Sequence, residues 1–78
     1  MKPKVLTYRA IIREDGKVFH GFVPTLPGVH TNGKTIEETR KNLREAISLH
    51  LEALKETNTK IPTDKDIEYF ESFTFNYA

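Results

Sequence analysis

His20, His30 and His50 are the side chains most able to hold a metal or move a proton, so their spacing sets the first question. They lie too far apart for a local ligand motif. No cysteine accompanies them, which removes thiolate metal sites and disulfides together. His50 falls at the margin of a helical apolar stripe, where a half-buried, satisfied imidazole is the simplest expectation. His20 and His30 can approach on neighbouring strands, but two imidazoles without a third ligand or a nucleophile make a poor site. A two-metal hydrolase needs several converging carboxylates. Here Glu14 and Asp15 fall in a turn, Glu68 and Glu71 lie on or before a last strand, and the first strand offers Thr7, Arg9 and Ala10. Ser48 and Ser72 have no base nearby in sequence, so nucleophilic catalysis has no support. The Gly33 turn before a helix could hold an anion, yet Glu37 and Glu38 would repel phosphate and a plain helix cap is the stronger reading. The chain reads as no enzyme, with no cofactor and no metal.

What remains is a small domain that acts by contact. The 78 residues suffice for one domain, residues 1–78. A chain this short buries only roughly 60% of its unfolded surface, and small scaffolds often gain the missing burial from a partner. The formal net charge of +1 predicts neither nucleic acid nor an acidic partner. Residues 1–34 carry six Lys/Arg and two acids, whereas residues 57–78 carry two Lys and four acids. The opening Met1-Lys2-Pro3-Lys4 leads to no long apolar run, so a cytoplasmic location is expected.

The elements that would position these residues follow from periodicity. Lys4–Arg13 is rich in Val, Ile, Thr and Tyr and predicts a first strand. Glu14–Lys17 supplies an Asp-Gly turn, and Val18–Val23 returns as a second strand. Pro24 and Pro27 stiffen the next turn, Gly28 and Gly33 permit tight reversals, and Val29–Thr31 predicts a short third strand. Thr35 and Glu38 form a capping box. From there a helix should run from Ile36 to about Glu56, with Ile36, Leu43, Ile47 and Leu54 on its apolar stripe and Ala46 and Leu51 at the edge. Leu49 sits instead among polar residues. Thr57–Pro62 ends the helix, and Phe70–Tyr77 alternates with Phe73, Phe75 and Tyr77 on one face, which predicts a fourth strand. A right-handed crossover would lay it parallel beside the first. The expected fold is α+β, an antiparallel three-strand meander, one amphipathic helix and a fourth strand (β-β-β-α-β, order 3-2-1-4).

Simple widths then raise a functional point. One helix is ~10 Å across and strands lie ~4.8 Å apart, so the helix covers about two strands. The first two strands carry apolar residues on both faces: Val5 and Ile11 against Leu6, Tyr8 and Ile12, and Phe19 and Val23 against Phe22. Surplus apolar surface should therefore meet another chain. The alternative is that the Pro24–Leu26 loop and the C-terminal aromatics fold over it.

The stretch Val23-Pro24-Thr25-Leu26-Pro27-Gly28-Val29, followed by Gly33-Lys34-Thr35-Ile36-Glu37-Glu38, resembles the HicB-like antitoxin family. Asn42, Leu43, Ala46, Ile47 and the later Ile61-Pro62 fit the same layout, so the resemblance covers about residues 6–62. It implies a truncated RNase H-like fold and binding to HicA, a small double-stranded-RNA-binding-like toxin that cleaves mRNA. It also implies that the antitoxin covers the toxin's active region and commonly oligomerises. Many members add a C-terminal helix-turn-helix or ribbon-helix-helix segment for operator DNA; this sequence ends at Ala78, and autorepression of that kind is not expected of it. Thr39 stands where an alanine is frequent.

The leading expectation is an antitoxin-like, protein-binding domain whose partner is a small basic HicA-like toxin. Phe22, Pro24, Leu26 and Pro27 at the stiff turn are the candidate contacts, because a rigid segment loses little entropy on docking. Glu45, Leu49 and Glu52 on the outer helix face are candidates for a basic partner. Two other readings stay open: an RNA- or DNA-binding module using the basic first strands with Tyr8 and Phe19, and a self-associating domain without a toxin. A homodimer or higher oligomer is expected in any case.

Overall fold

The computed structural model describes residues 3–77, and they form an α+β unit. Three strands, β1 (Ile11–Asp15), β2 (Val18–Phe22) and β3 (His30–Gly33), precede one helix, α1 (Ile36–Glu56). The sheet is antiparallel with β2 in the middle. Ile11 lies opposite Phe22 and Asp15 opposite Val18, while on the other side Phe19 faces Gly33 and Phe22 faces His30. The expected meander is present, with shifted boundaries. Residues 4–10, expected in the first strand, precede the ladder because β2 ends at Phe22 and offers nothing opposite them. Only Gly16 and Lys17 make the first turn, and Gly16 has φ +66°. A positive φ at the first turn residue alone fits a type II′ hairpin, whose twist matches the strands.

The turn after β2 folds on itself. The Val23 amide donates to the Val29 carbonyl, the Leu26 amide to Val23, and the Val29 amide to Leu26. These bonds satisfy the backbone while driving Leu26 inward, where it is 0% exposed. Val23, Leu26, Val29 and Leu43 form the buried core, with Tyr8, Ala46, Ile47 and Leu51 packed against it.

α1 sits on this core through its N-terminal half. The Thr35 hydroxyl accepts the Glu38 amide at 3.0 Å, while the Glu38 carboxylate reaches back 3.4 Å to the Lys34 amide, one residue earlier than a capping box requires. Thr39, one turn in, is 0% exposed and donates its hydroxyl to the Thr35 carbonyl. It occupies the place on the stripe that periodicity assigned to Ile36, which is instead 48% exposed at the helix start. Two glycines make room for it. A Cβ on Gly21 would lie 3.0 Å from Thr39 Cγ2, and one on Gly33 would lie 2.5 Å from Thr39 Oγ1 and 2.6 Å from its amide nitrogen. The helix start therefore rests on bare backbone of β2 and β3. The Asn42 amide adds a tie to the Asn32 carbonyl of β3. At the other end, Asn58 takes φ +57°, its amide bonds to Lys55 O and the Thr59 amide to Leu54 O. That is a Schellman closure with asparagine in the left-handed position.

The expected fourth strand is not formed: no described residue beyond Glu56 lies in a ladder. The chain after α1 is pinned beside residues 8 and 9 and then leaves the body. The Tyr8 hydroxyl donates to Pro62 O, the Arg9 amide to Asp64 Oδ2, and the Arg9 guanidinium meets Glu68 at 3.3 Å. A 21-residue helix spans only ~31 Å, so the 58 Å long axis of the molecule comes from the departing segment. The sheet therefore runs 3-2-1 without the fourth member that alternation had placed beside β1.

Candidate functional site

Strand alternation divides the sheet into two faces. Ile12, Phe19, Gly21 and Gly33 share the side under α1, as the contacts of Gly21 with Thr39, Leu43 and Ile12 show. Ile11, Arg13, Val18, His20, Phe22 and His30 share the other. On that open side the Arg13 guanidinium lies 5.1 Å from the centre of the Phe22 ring, a cation–π distance. His20 stacks on Phe22 with centroids 6.1 Å apart, approaches His30 at 5.7 Å, and bonds through Nδ1 to the Asn32 side-chain oxygen at 2.9 Å. The two histidines expected to approach do so, and what they build is an aromatic platform. Among the described residues no group of three or more His, Asp or Glu side chains is placed to hold a metal.

The candidate contacts divide between opposite sides of the molecule. Phe22 is half-buried on the open sheet face, with Pro24 and the exposed Pro27 in the turn that follows. Leu26 must be withdrawn from the docking set. It is wholly buried by the turn's own hydrogen bonds and serves the core. Glu45, Leu49 and Glu52 are all exposed on the outer side of α1, with Leu49 at 73%. A sheet and a helix layer separate this row from Phe22, so one small partner surface does not span both. The residues proposed for a nucleic-acid reading do not assemble either. Tyr8 is half-buried against the core and Phe19 points under the helix, so neither presents a free ring for base stacking.

Two features escaped sequence reasoning. The first is the junction at Asp64, whose carboxylate accepts from the Thr25 hydroxyl and the Arg9 amide and so ties three separate segments together. Those two hydrogen bonds hold its carboxyl below the usual range, with a smaller contribution from the Arg9 charge. The Tyr8 phenol beside it is pushed up by burial and by the negative Asp64. The second is a groove along the free edge of β1, beneath the flank of α1, lined by Ala10, Ile12, Leu43 and Ile47 and rimmed by Arg40 and Arg44. It exists because α1 packs over β2 and β3 and leaves β1 largely uncovered.

Comparison with known proteins places this architecture. A UPF0150 protein of Thermoplasma acidophilum is 43% identical over 60 residues, which are 76% of this chain and 87% of that protein. A UPF0150 protein of Thermotoga maritima is 49% identical over 47 residues, 58% of this chain and 63% of its own length. The crystal structure of the N-terminal domain of the Burkholderia pseudomallei antitoxin HicB superposes with a TM-score of 0.58 at 38% identity, over 82% of this chain and 69% of that one. The pattern of the HicB-like antitoxin of bacterial toxin–antitoxin systems matches residues 8–77, reaching through the C-terminal aromatics as well as the Leu-Pro-Gly turn. The chain belongs to the HicB-like antitoxin family.

Proposed function

We propose that this domain neutralises a small basic toxin of the HicA type by binding over its mRNA-cleaving region, acting in the cytoplasm by occupancy and without chemistry of its own. The observation that carries the reading is the sheet face opposite α1. No helix or strand of the described residues packs on it, and it carries Ile11, Val18 and Phe22 with Arg13 and His20 around them. In an antitoxin domain, an aromatic centre inside a polar rim is the composition expected of a protein contact. Pro24 and Pro27 extend the face through a turn whose backbone is already fixed, which lowers the ordering cost of docking. Glu45, Leu49 and Glu52 form a second, acidic row on α1, suited to a basic surface but away from the first.

The test is co-expression with a small basic protein encoded beside this chain, followed by RNA-cleavage assays on the copurified pair. Phe22→Asp should weaken inhibition at least tenfold while leaving the helix content unchanged. Leu49→Arg reports on the outer helix row in the same assay. A toxin that stays fully active in excess of this protein would overturn the reading.

A further inference from the structure

We infer that the C-terminal arm, residues 67–77, is an exchange strand that fills the β1–α1 groove of a second copy of this chain. The inference stands apart from toxin binding and uses different surfaces. In the arm, Ile67, Tyr69, Phe73, Phe75 and Tyr77 recur at every second residue on one side, with Glu71 the single interruption. Their exposures lie between 75 and 95%, and Phe75 and Tyr77 pack edge to face at 5.6 Å. A strand-period aromatic face of this length standing in water is a strong mark of an association surface.

The groove supplies what the arm lacks. Its floor is aliphatic, from Ala10, Ile12, Leu43 and Ile47, and it borders the unpaired edge of β1. A strand laid there would gain ladder hydrogen bonds from β1 and cover its rings under α1. Charge agrees as well. Residues 67–77 hold no Lys or Arg, and their Glu71 lies outside the pins to Arg9, while Arg40 and Arg44 rim the groove. The family pattern runs through Tyr77, so the arm is part of the domain's pattern and not an unrelated tail.

The second copy is favoured over the arm's own groove by the pins at the arm's root. Asp64 holds the Arg9 amide and Thr25, and Glu68 holds the Arg9 guanidinium. With these in place the arm departs along the 58 Å axis. Two copies related by a two-fold axis can exchange arms reciprocally and close, which is how swapped dimers satisfy both edges at once. Each copy then receives in trans the fourth strand that the sequence predicts.

The experiment uses the full chain without any toxin, so its failure leaves the proposed function standing, and the converse holds. Light scattering at micromolar concentration should give a dimer, and Phe73→Ser/Phe75→Ser should raise its dissociation constant at least a hundredfold with the circular dichroism of α1 retained. Because the chain has no cysteine, Ala10→Cys and Thr74→Cys can be introduced in separately prepared copies. Oxidation of the mixture should link the two chains. A monomeric full chain, a dimer untouched by the double serine variant, or a disulfide formed only within one chain carrying both cysteines would overturn the inference.

Discussion

Leu26 and Phe75 make the most instructive pair in this molecule. Both are large apolar side chains near prolines or strand-like segments, and neither lies in a helix or ladder of the single chain. One is fully buried; the other is 75% exposed. The difference is backbone bookkeeping. Around Leu26, three amide–carbonyl bonds close the turn within itself, so the segment can enter the core without stranding polar groups. Around Phe75 the backbone has no hydrogen-bond partner among the described residues, and an extended segment of that kind cannot be buried until a sheet edge receives it. Hydrophobicity alone does not place a residue inside. The first region stabilises a monomer; the second has its energy to release only on association.

That contrast can be broken by substitution. Leu26→Ala should cost about 3 kcal/mol, the transfer loss plus a cavity in a core of four buried residues. The loss should appear as a lower midpoint in urea at every protein concentration. Phe75→Ala, by comparison, removes a side chain whose burial would contribute about 1.5–3 kcal/mol only in the inferred dimer. Its effect should therefore depend on concentration and vanish on dilution. A Phe75→Ala loss that is equally large in the monomer would place the arm inside the folded chain and erase the distinction.

The glycine cradle sharpens the packed side of the comparison. Gly33→Ala should cost about 2 kcal/mol, because the added carbon meets the Thr39 backbone nitrogen at 2.6 Å and no side-chain change can relieve it. Gly21→Ala meets only Thr39 Cγ2 at 3.0 Å, with Leu43 Cδ2 at an ordinary 3.4 Å. Thr39→Ser deletes that methyl and keeps the hydroxyl. A double-mutant cycle should therefore show the Gly21→Ala penalty shrinking in the Thr39→Ser background while the Gly33→Ala penalty persists. Equal rescue of both would mean the helix slides as a whole, and that the close approach is not fixed at Thr39.

Much of this fold is legible in the sequence, and the exceptions have a common cause. The hairpin at Gly16, the Thr35–Glu38 cap and the end of α1 at Glu56 depend on neighbours in the chain; the cap and the helix end are found where local chemistry puts them, and the turn narrows to Gly16 and Lys17 with Asp15 in the ladder. Strand length depends on the partner. Lys4–Ala10 has strand composition, yet β2 stops at Phe22 and the ladder stops with it. Phe70–Tyr77 has the right alternation and yet lies in no ladder. Leu26 was assigned to a docking turn because two prolines advertise rigidity, and rigidity says nothing of which side of the turn faces in. The open face of the sheet was anticipated by the mismatch between one helix and several strands. The Asp64 junction was not, since its partners Arg9 and Thr25 are 55 and 39 residues away.

A smaller effect tests the boundary between the regions at the helix start. Thr35→Ala removes the acceptor of the Glu38 amide and should cost about 1 kcal/mol, as N-cap losses do. Thr35→Asn should recover most of it. Thermal melts of the three proteins at one concentration check both expectations; the Thr39–Thr35 bond goes to the backbone carbonyl and survives in all three, so no recovery with asparagine would show that the cap bond does not carry the loss.

The smallest expected effect lies at the hinge between the packed body and the arm. Asp64 titrates below its ordinary 3.8 because the Thr25 hydroxyl and the Arg9 amide bond its charged form, with Arg9 adding to this. A depressed carboxyl contributes stability that is complete above its unfolded value and is lost as pH falls through the folded one. The pins should therefore hold at neutral pH and release only in acid below 3.8. The group is solvent-exposed, so the global midpoint should scarcely move. What should move is local: the Arg9 amide resonance should shift with the Asp64 titration, and Asp64→Asn should flatten that titration. Releasing the pins frees the arm's direction, so Asp64→Asn should also let arm and groove meet within one chain more often. An intrachain Ala10–Thr74 disulfide that rises in this variant would identify the Asp64 junction as what turns the arm outward, and an unchanged ratio would leave the arm's own stiffness as the cause.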